Sequence, residues 1–358
     1  MKKLLLSYLR LSLSFFIFLI LGCSQGDKHD LMAIEVPKAS DDPIRLEDIA
    51  ESIQLVQLET KEGSLLNMIQ EVKLYDEKLY VVDLAGQILV FDIEGNFLQM
   101  LGKNGNGPGE YTYISSLAID ESSNLIYIAS GQKLLAYSTE NELVAEGKLP
   151  LFINYLNTHN GKLFALAQLN GIETEQGYIN QTTLLEISNS LEVADSIPVR
   201  RLILKEQIAA TYPYKHFISK VDSDLYLYSP VLTNETILRD TLYRLEGKTL
   251  TPFAKLNFEQ NHLNEKNQKI IWIKNMVNSR SYLMCEYDSD GDKWMFLFDK
   301  GKSIGYNLKG GLLDGRDDPV ILRPLDPAHD IFYFIKTAKY SADNTEELNP
   351  VIGIVSLK

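Results

Sequence analysis

Cysteine is nearly missing from this chain. Its 358 residues hold two, Cys23 and Cys285, so one intrachain disulfide at most is open to it. Such a fold stands on its core, and the length permits one large β domain or two ordinary ones. Histidine is scarce as well: His29, His159, His216, His262 and His329. No pair of them has metal-ligand spacing, and neither G-x-S-x-G nor H-E-x-x-H occurs. These signals assign no catalytic residue, metal or other cofactor. Positive charge is short, with 35 Lys+Arg against 48 Asp+Glu. Without Lys2, Lys3 and Arg10 the balance is 32 against 48, a formal −16. That excludes nucleic acid as a partner and docking on anionic lipid by charge alone. The main apolar run, Leu11 to Leu21, is too short for a comfortable transmembrane helix.

That run has another use. Met1-Lys2-Lys3 and Arg10 precede it, and Gly22-Cys23 follow. A basic start, a short apolar core and a small residue before a cut site make a secretory signal. Ile20-Leu21-Gly22-Cys23 resembles the lipobox of bacterial lipoproteins. The resemblance implies a signal peptide over 1–22, lipid on Cys23 and attachment to the membrane through that lipid. Cys285 is then left without a disulfide partner. The alternative is an ordinary secretion signal with a chance cysteine. Residues 23–43 are polar and unpatterned and read as a flexible tether. Ser24-Gln25-Gly26-Asp27 loosely resembles the surface-export signal of some outer-membrane lipoproteins. The expected address is therefore the outer membrane, on its periplasmic or cell-surface side.

Residues 44–358 read as one repeating all-β unit. Met68–Leu74, Leu79–Asp83, Gln87–Asp92 and Phe97–Leu101 are four short strands separated by Asp, Gly and Asn turns. The same order recurs at Ile114–Asp120, Leu125–Ala129, Leu134–Tyr137 and Leu143–Leu149. Leu125 lies 46 residues after Leu79, the period of a propeller blade. Looser copies follow, and the sixth, with Val320–Leu322, Ile331–Ile335 and Val351–Leu357, is one strand short. Ser52–Leu58 is a strand with no hairpin partner. Added to the last unit it closes a six-bladed β-propeller of four-stranded antiparallel blades. Its apolar set, Ile53, Leu55 and Val56, is expected to face the neighbouring blade. Two stacked sandwiches would match the strand density but not the repeat.

GNGPGEY after YVVD…ILVFDIEGNFL resembles the six-bladed, NHL-like β-propeller lipoproteins of Bacteroidota. The likeness covers nearly all of the mature chain and is closest in the first two blades. It implies fold and location and carries over no catalytic residues.

In such a meander the first and third turns lie at one end of each blade. The long segments, Gly102–Thr112, Leu169–Thr182, Arg200–Lys215, Pro230–Asp240, Asn257–Lys269, Lys309–Pro319 and Thr337–Pro350, are second turns or blade links. They are expected to gather on the other face, around the channel mouth. They offer Tyr111, Arg200, Tyr212, Tyr214, His216 and Arg316 as ligand contacts for a glycan, peptide or protein partner. The plainer account has them covering blade tops and pairing with the acidic excess. The glycine-rich loop Gly102–Tyr111 reads as a rigid link, with Glu110 accepting backbone hydrogens, rather than an anion nest. Asp288–Asp292 lacks glycine and glutamate where an EF-hand needs them and reads as a hairpin turn. The expected function is a binding or scaffold lipoprotein. The alternatives are a propeller hydrolase or lyase working in the central channel, and a sensor partner for a membrane complex.

Overall fold

The structure, a computed structural model, describes residues 31–40, 42–337 and 348–358. Alternating apolar and polar residues build six four-stranded antiparallel blades around an axis. Blade I is Ile69–Tyr75, Lys78–Asp83, Gln87–Asp92 and Phe97–Met100, and blade II is Ser116–Asp120, Leu125–Ser130, Lys133–Ser138 and Leu143–Lys148. Blade III is Phe152–His159, Lys162–Thr174, Gly177–Ile187 and Val193–Leu204. Blade IV is Ile218–Val221, Asp224–Leu227, Thr241–Glu246 and Thr249–Phe258, and blade V is Ile271–Asn278, Tyr282–Ser289, Asp292–Asp299 and Ile304–Lys309. Blade VI takes Arg323–Asp326, Ile331–Lys336 and Val351–Leu357 from the end of the chain and Ala50–Gln57 from its beginning. The first strands of blades VI, I, II, III, IV and V touch in that order and so line the axis.

Turn chemistry sets the hairpins. Asp76-Glu77, Asn160-Gly161 and Asp290-Gly291 are two-residue connections with positive φ at both residues, the turn whose twist matches a hairpin. The last of these is the acidic stretch at Asp288–Asp292. Asp288 pairs with Lys274, and Asp292 with Lys309 at 2.6 Å.

The core divides into six wedges, one between each pair of neighbouring blades. Tyr80, Val90, Leu117 and Ile128 fill the wedge between I and II. Met284, Leu297, Phe332 and Val355 fill the one between V and VI. No blade has a private core, so stability comes from stacking each sheet on the next.

The ring closes as the orphan strand requires. Ser52 to Gln57 pair antiparallel with Ser356 to Val351. Two details differ. Val56 is buried against blade I, and Ile53 is half-buried against blade V. Leu55, on the same face as Ile53, is 60% exposed, because at the rim the neighbouring blade covers only part of that face. Asn349 locks the seam. Its side chain donates to Glu59 O and Ser64 O, both at 2.7 Å, and accepts from Leu66 N at 2.9 Å.

The stretch read as a tether is partly structured. Met32–Val36 lies parallel to Thr249–Phe258 as a fifth strand on blade IV. Its Ile34 and Val36 are buried in the wedge between IV and V. The chain then crosses blade V, where Ser40 N donates to Asn307 O at 2.9 Å, and reaches blade VI through the short helix Leu46–Ile49. Residues 1–30, including the expected signal and Cys23, lie outside the described residues.

Other boundaries differ too. Leu169–Thr182, expected as a loop, is mostly an extension of the central hairpin of blade III. Blade III also has a first strand, Phe152–His159, that its polar Asn154, Asn157 and Thr158 concealed. The first strand of blade VI is Arg323–Asp326, and Val320 belongs instead to a small ribbon with Leu312–Leu313.

Candidate functional site

Among the described residues the topology puts the second turns and blade links on one face, but they do not ring an open mouth; 338–347 of the expected segment Thr337–Pro350 lie outside the described residues. The link between blades III and IV enters the channel and stops it. Lys215 Nζ reaches Ser115 O at 2.9 Å and Asn154 O at 3.0 Å, toward blades II and III. Tyr212 donates its hydroxyl to Glu286 of blade V. The Tyr214 ring lies 4.2 Å from the Arg323 guanidinium of blade VI. Asn275 binds both sides of the plug: its amide donates to Tyr214 O at 2.7 Å and to Glu286 at 2.8 Å, and its oxygen accepts from His216 N at 2.8 Å. One segment thus holds partners on four blades.

The electrostatics follow from this depth. Burial brings the Lys215 ammonium down to about 8, with Glu71 acting in the opposite direction. The Tyr212 hydroxyl is pushed far up by burial and by the carboxylate of Glu286.

Three predicted contacts, Tyr212, Tyr214 and His216, therefore come together, but as the plug. Tyr212 and His216 are buried. Arg200 is half-buried beside them, bonded to Pro230 O and to Thr182 Oγ1 at 3.2 Å, and burial lowers it to about 10. Tyr111 sits apart, 1% exposed in the wedge between I and II, donating to Leu101 O. Arg316 is exposed on the link between blades V and VI. Glu110 fills its own glycine loop: its carboxylate accepts from Gly107 N at 2.9 Å and pairs with Lys103 at 3.0 Å.

Part of what the long-loop face exposes is apolar. Tyr113 and Phe152 are each 41% exposed and stack with ring centroids 6.2 Å apart. Gly86 packs against the backbone at Thr112 and Tyr113, and Leu84, two residues before it, is exposed. Phe152 pairs with Gln168, next to exposed Leu169. Tyr113 and Phe152 touch, and with Leu84 and Leu169, exposed on the neighbouring segments, they mark out a crescent over blades I, II and III. None of them was singled out from sequence. Isolated exposed apolar residues are ordinary, and their gathering needs the ring.

The tight-turn face holds the open end of the channel. A cavity of about 160 Å³ there is lined by the ends of the first strands of blades I, II, III, IV and VI. Glu71 and Lys73 of blade I pair at 2.8 Å beside it, and Tyr155 and His216 line it. The signal for Glu71 and Lys73 was present: two charges inside IQEVKLY, an innermost strand, have a channel as their natural outlet. Among the described residues no group of His, Cys, Asp and Glu is placed to hold a metal ion. None of the helices among them is long and apolar enough to cross a membrane.

Comparison with known proteins places this geometry. A search of curated proteins finds no match. Among solved structures, a Bacteroides fragilis protein whose name calls it exported superposes with a TM-score of 0.69 at 18% identity. The match covers 91% of this chain and 100% of that one. A gluconolactonase of Xanthomonas campestris matches with a TM-score of 0.49 at 10% identity, over 89% of this chain and 96% of the other. The first likeness supports the propeller fold, and the second carries nothing further. Residues 31–356, from the fifth strand of blade IV to the closing strand of blade VI, match the profile of the domain of unknown function DUF4934, and the chain belongs to that family.

Proposed function

We propose that this chain is a lipid-anchored extracytoplasmic propeller that binds a peptide, glycan or protein partner on its long-loop face. The observation that carries the binding is the exposed crescent of Leu84, Tyr113, Phe152 and Leu169. Contiguous apolar patches on soluble domains mark contact surfaces, and stacked aromatics supply contact area at low entropic cost. The plug serves this reading by giving the face a closed, rigid floor. The address rests on Gly22-Cys23 after a signal-like segment, and the name of the Bacteroides fragilis protein points the same way. Arg316 extends the same face toward anionic groups. The competing reading, a hydrolase or lyase, draws on Glu71, Lys73 and His216 at the open end of the channel.

The test replaces Tyr113 and Phe152 together by serine in the full chain. Crosslinking to the native partner should fall by about tenfold or more, with the unfolding temperature unchanged. Crosslinks that survive this change and map to tight turns such as Glu94–Asn96 would move the binding face to the other side.

A further inference from the structure

The open end of the channel is built differently from the long-loop face. Its floor is His216, 2% exposed, with neither ring nitrogen bonded to any protein group. Buried polar atoms left unfilled cost on the order of 1–3 kcal/mol each, so a ligand group that reaches either nitrogen makes a bond the protein leaves unmade. Lys73 lines the same cavity, with its Nζ 5.7 Å from the centroid of the Tyr155 ring. Glu71 takes one of its donors, and an ammonium has three. The cations Lys73 and Arg323 both act on the imidazole and, after burial itself, hold it in the neutral form. The floor therefore presents an N–H donor in a positive field. The walls are apolar where Ile218, Pro324 and Leu325 line them.

We propose that this end of the channel binds a small organic anion through one carboxylate, received by the Lys73 ammonium and the His216 N–H. A monoanion fits better than phosphate, because Glu71 already balances the charge of Lys73 and only the more distant Arg323 adds to the positive field. The rim carries Glu121 and Asp326, whose partners Lys220 and His329 stand at 3.6 Å and 2.6 Å. A dianion would meet those carboxylates without a second free cation on the floor. The rest of the ligand lies against Tyr155, Ile218 and Leu325. This site does not depend on the crescent.

The chain has five histidines, so carbon-13 labelling at histidine Cε1 of the full chain gives a spectrum with few signals. The His216 signal is the one lost in His216→Gln. Acetate, added at constant ionic strength, should shift it saturably in the millimolar range. Acetamide at the same concentrations should leave it in place. The double variant Glu71→Gln with Lys73→Met removes the pair without stranding a buried charge and should abolish the acetate shift. Tyr113→Ser with Phe152→Ser should leave it intact. The proposal is overturned if acetate gives no saturable shift, so that solvent alone fills the cavity. It is equally overturned if acetamide shifts the signal as acetate does, or if phosphate binds more tightly than acetate. If His216→Gln does not fold, His216→Asn, which keeps a donor in the same place, supplies the assignment.

Discussion

Lys215 shows what a single side chain does here. It enters a buried plug with carbonyls and one amide oxygen as partners, and burial brings it to about 8. An unfolded chain keeps that proton up to about 10.5, so between the two values the unfolded state binds more protons. Stability should therefore rise with pH in that window, by up to about 3 kcal/mol from this residue. Urea midpoints of wild type and Lys215→Met, compared at steps from pH 7.5 to 10, check it: the difference should move toward wild type, and a constant difference would reject it. This depth was not legible. The chain order placed Tyr212 and Tyr214 in the long link Arg200–Lys215, with His216 just after it. Whether a link lies over a channel or inside it depends on partners on other blades, such as Asn275, Glu286 and Arg323. Tyr111 was misplaced for the opposite reason: a tyrosine beside glycines reads as exposed, but here it fills the space those glycines leave, with the Gly102 backbone against its ring.

At the scale of elements, the rim strand Ala50–Gln57 and Asn349 form one device. Removing Ala50 to Leu58 deletes Val56 and Leu58 from the wedge between I and VI and opens the edge of Val351–Leu357. The loss should be several kcal/mol, on the scale of two or three buried apolar side chains. Chains starting at residues 44 and 59 compare this directly: the second should unfold at lower temperature and associate through the bare edge, and equal melting of two monomers would sink the idea. Asn349→Ala should cost about 2 kcal/mol or more, because it strands the Glu59 and Ser64 carbonyls and the Leu66 N–H. Urea unfolding with an unchanged slope measures that cost. This strand was legible because one unit was short and one strand was spare. The strand Met32–Val36 was not: five residues with no complementary gap in the repeat have nothing to announce their partner, and their register comes wholly from Ala254 to Phe258.

For the whole molecule, the repeat carried the fold and composition carried the exclusions. The 46-residue offset is clear in blades I and II, where Gly and Asn turns punctuate each strand. It fades in blade III, because the hairpin extends beyond the blade and the first strand is polar. The crescent and the cavity stayed invisible, since both draw single residues from several blades. Cys23→Ser should release the protein from membranes or leave it unprocessed. Fractionation with mass spectrometry of the N-terminus decides this, and an unmodified Cys23 on a soluble mature chain would refute the anchor.

The fifth strand of blade IV also decides how the molecule takes a mechanical load. Tension arriving from the N-terminus along the axis of Met32–Val36 meets its ladder lengthwise, so the bonds to Thr249–Phe258 resist together in shear rather than peeling one after another. Only after that clasp slips, and the contacts of Ser40 and the Leu46–Ile49 helix with it, does force reach Ala50–Gln57 and the seam of the ring. A tug on the N-terminus is absorbed by one blade before it can unzip the other five.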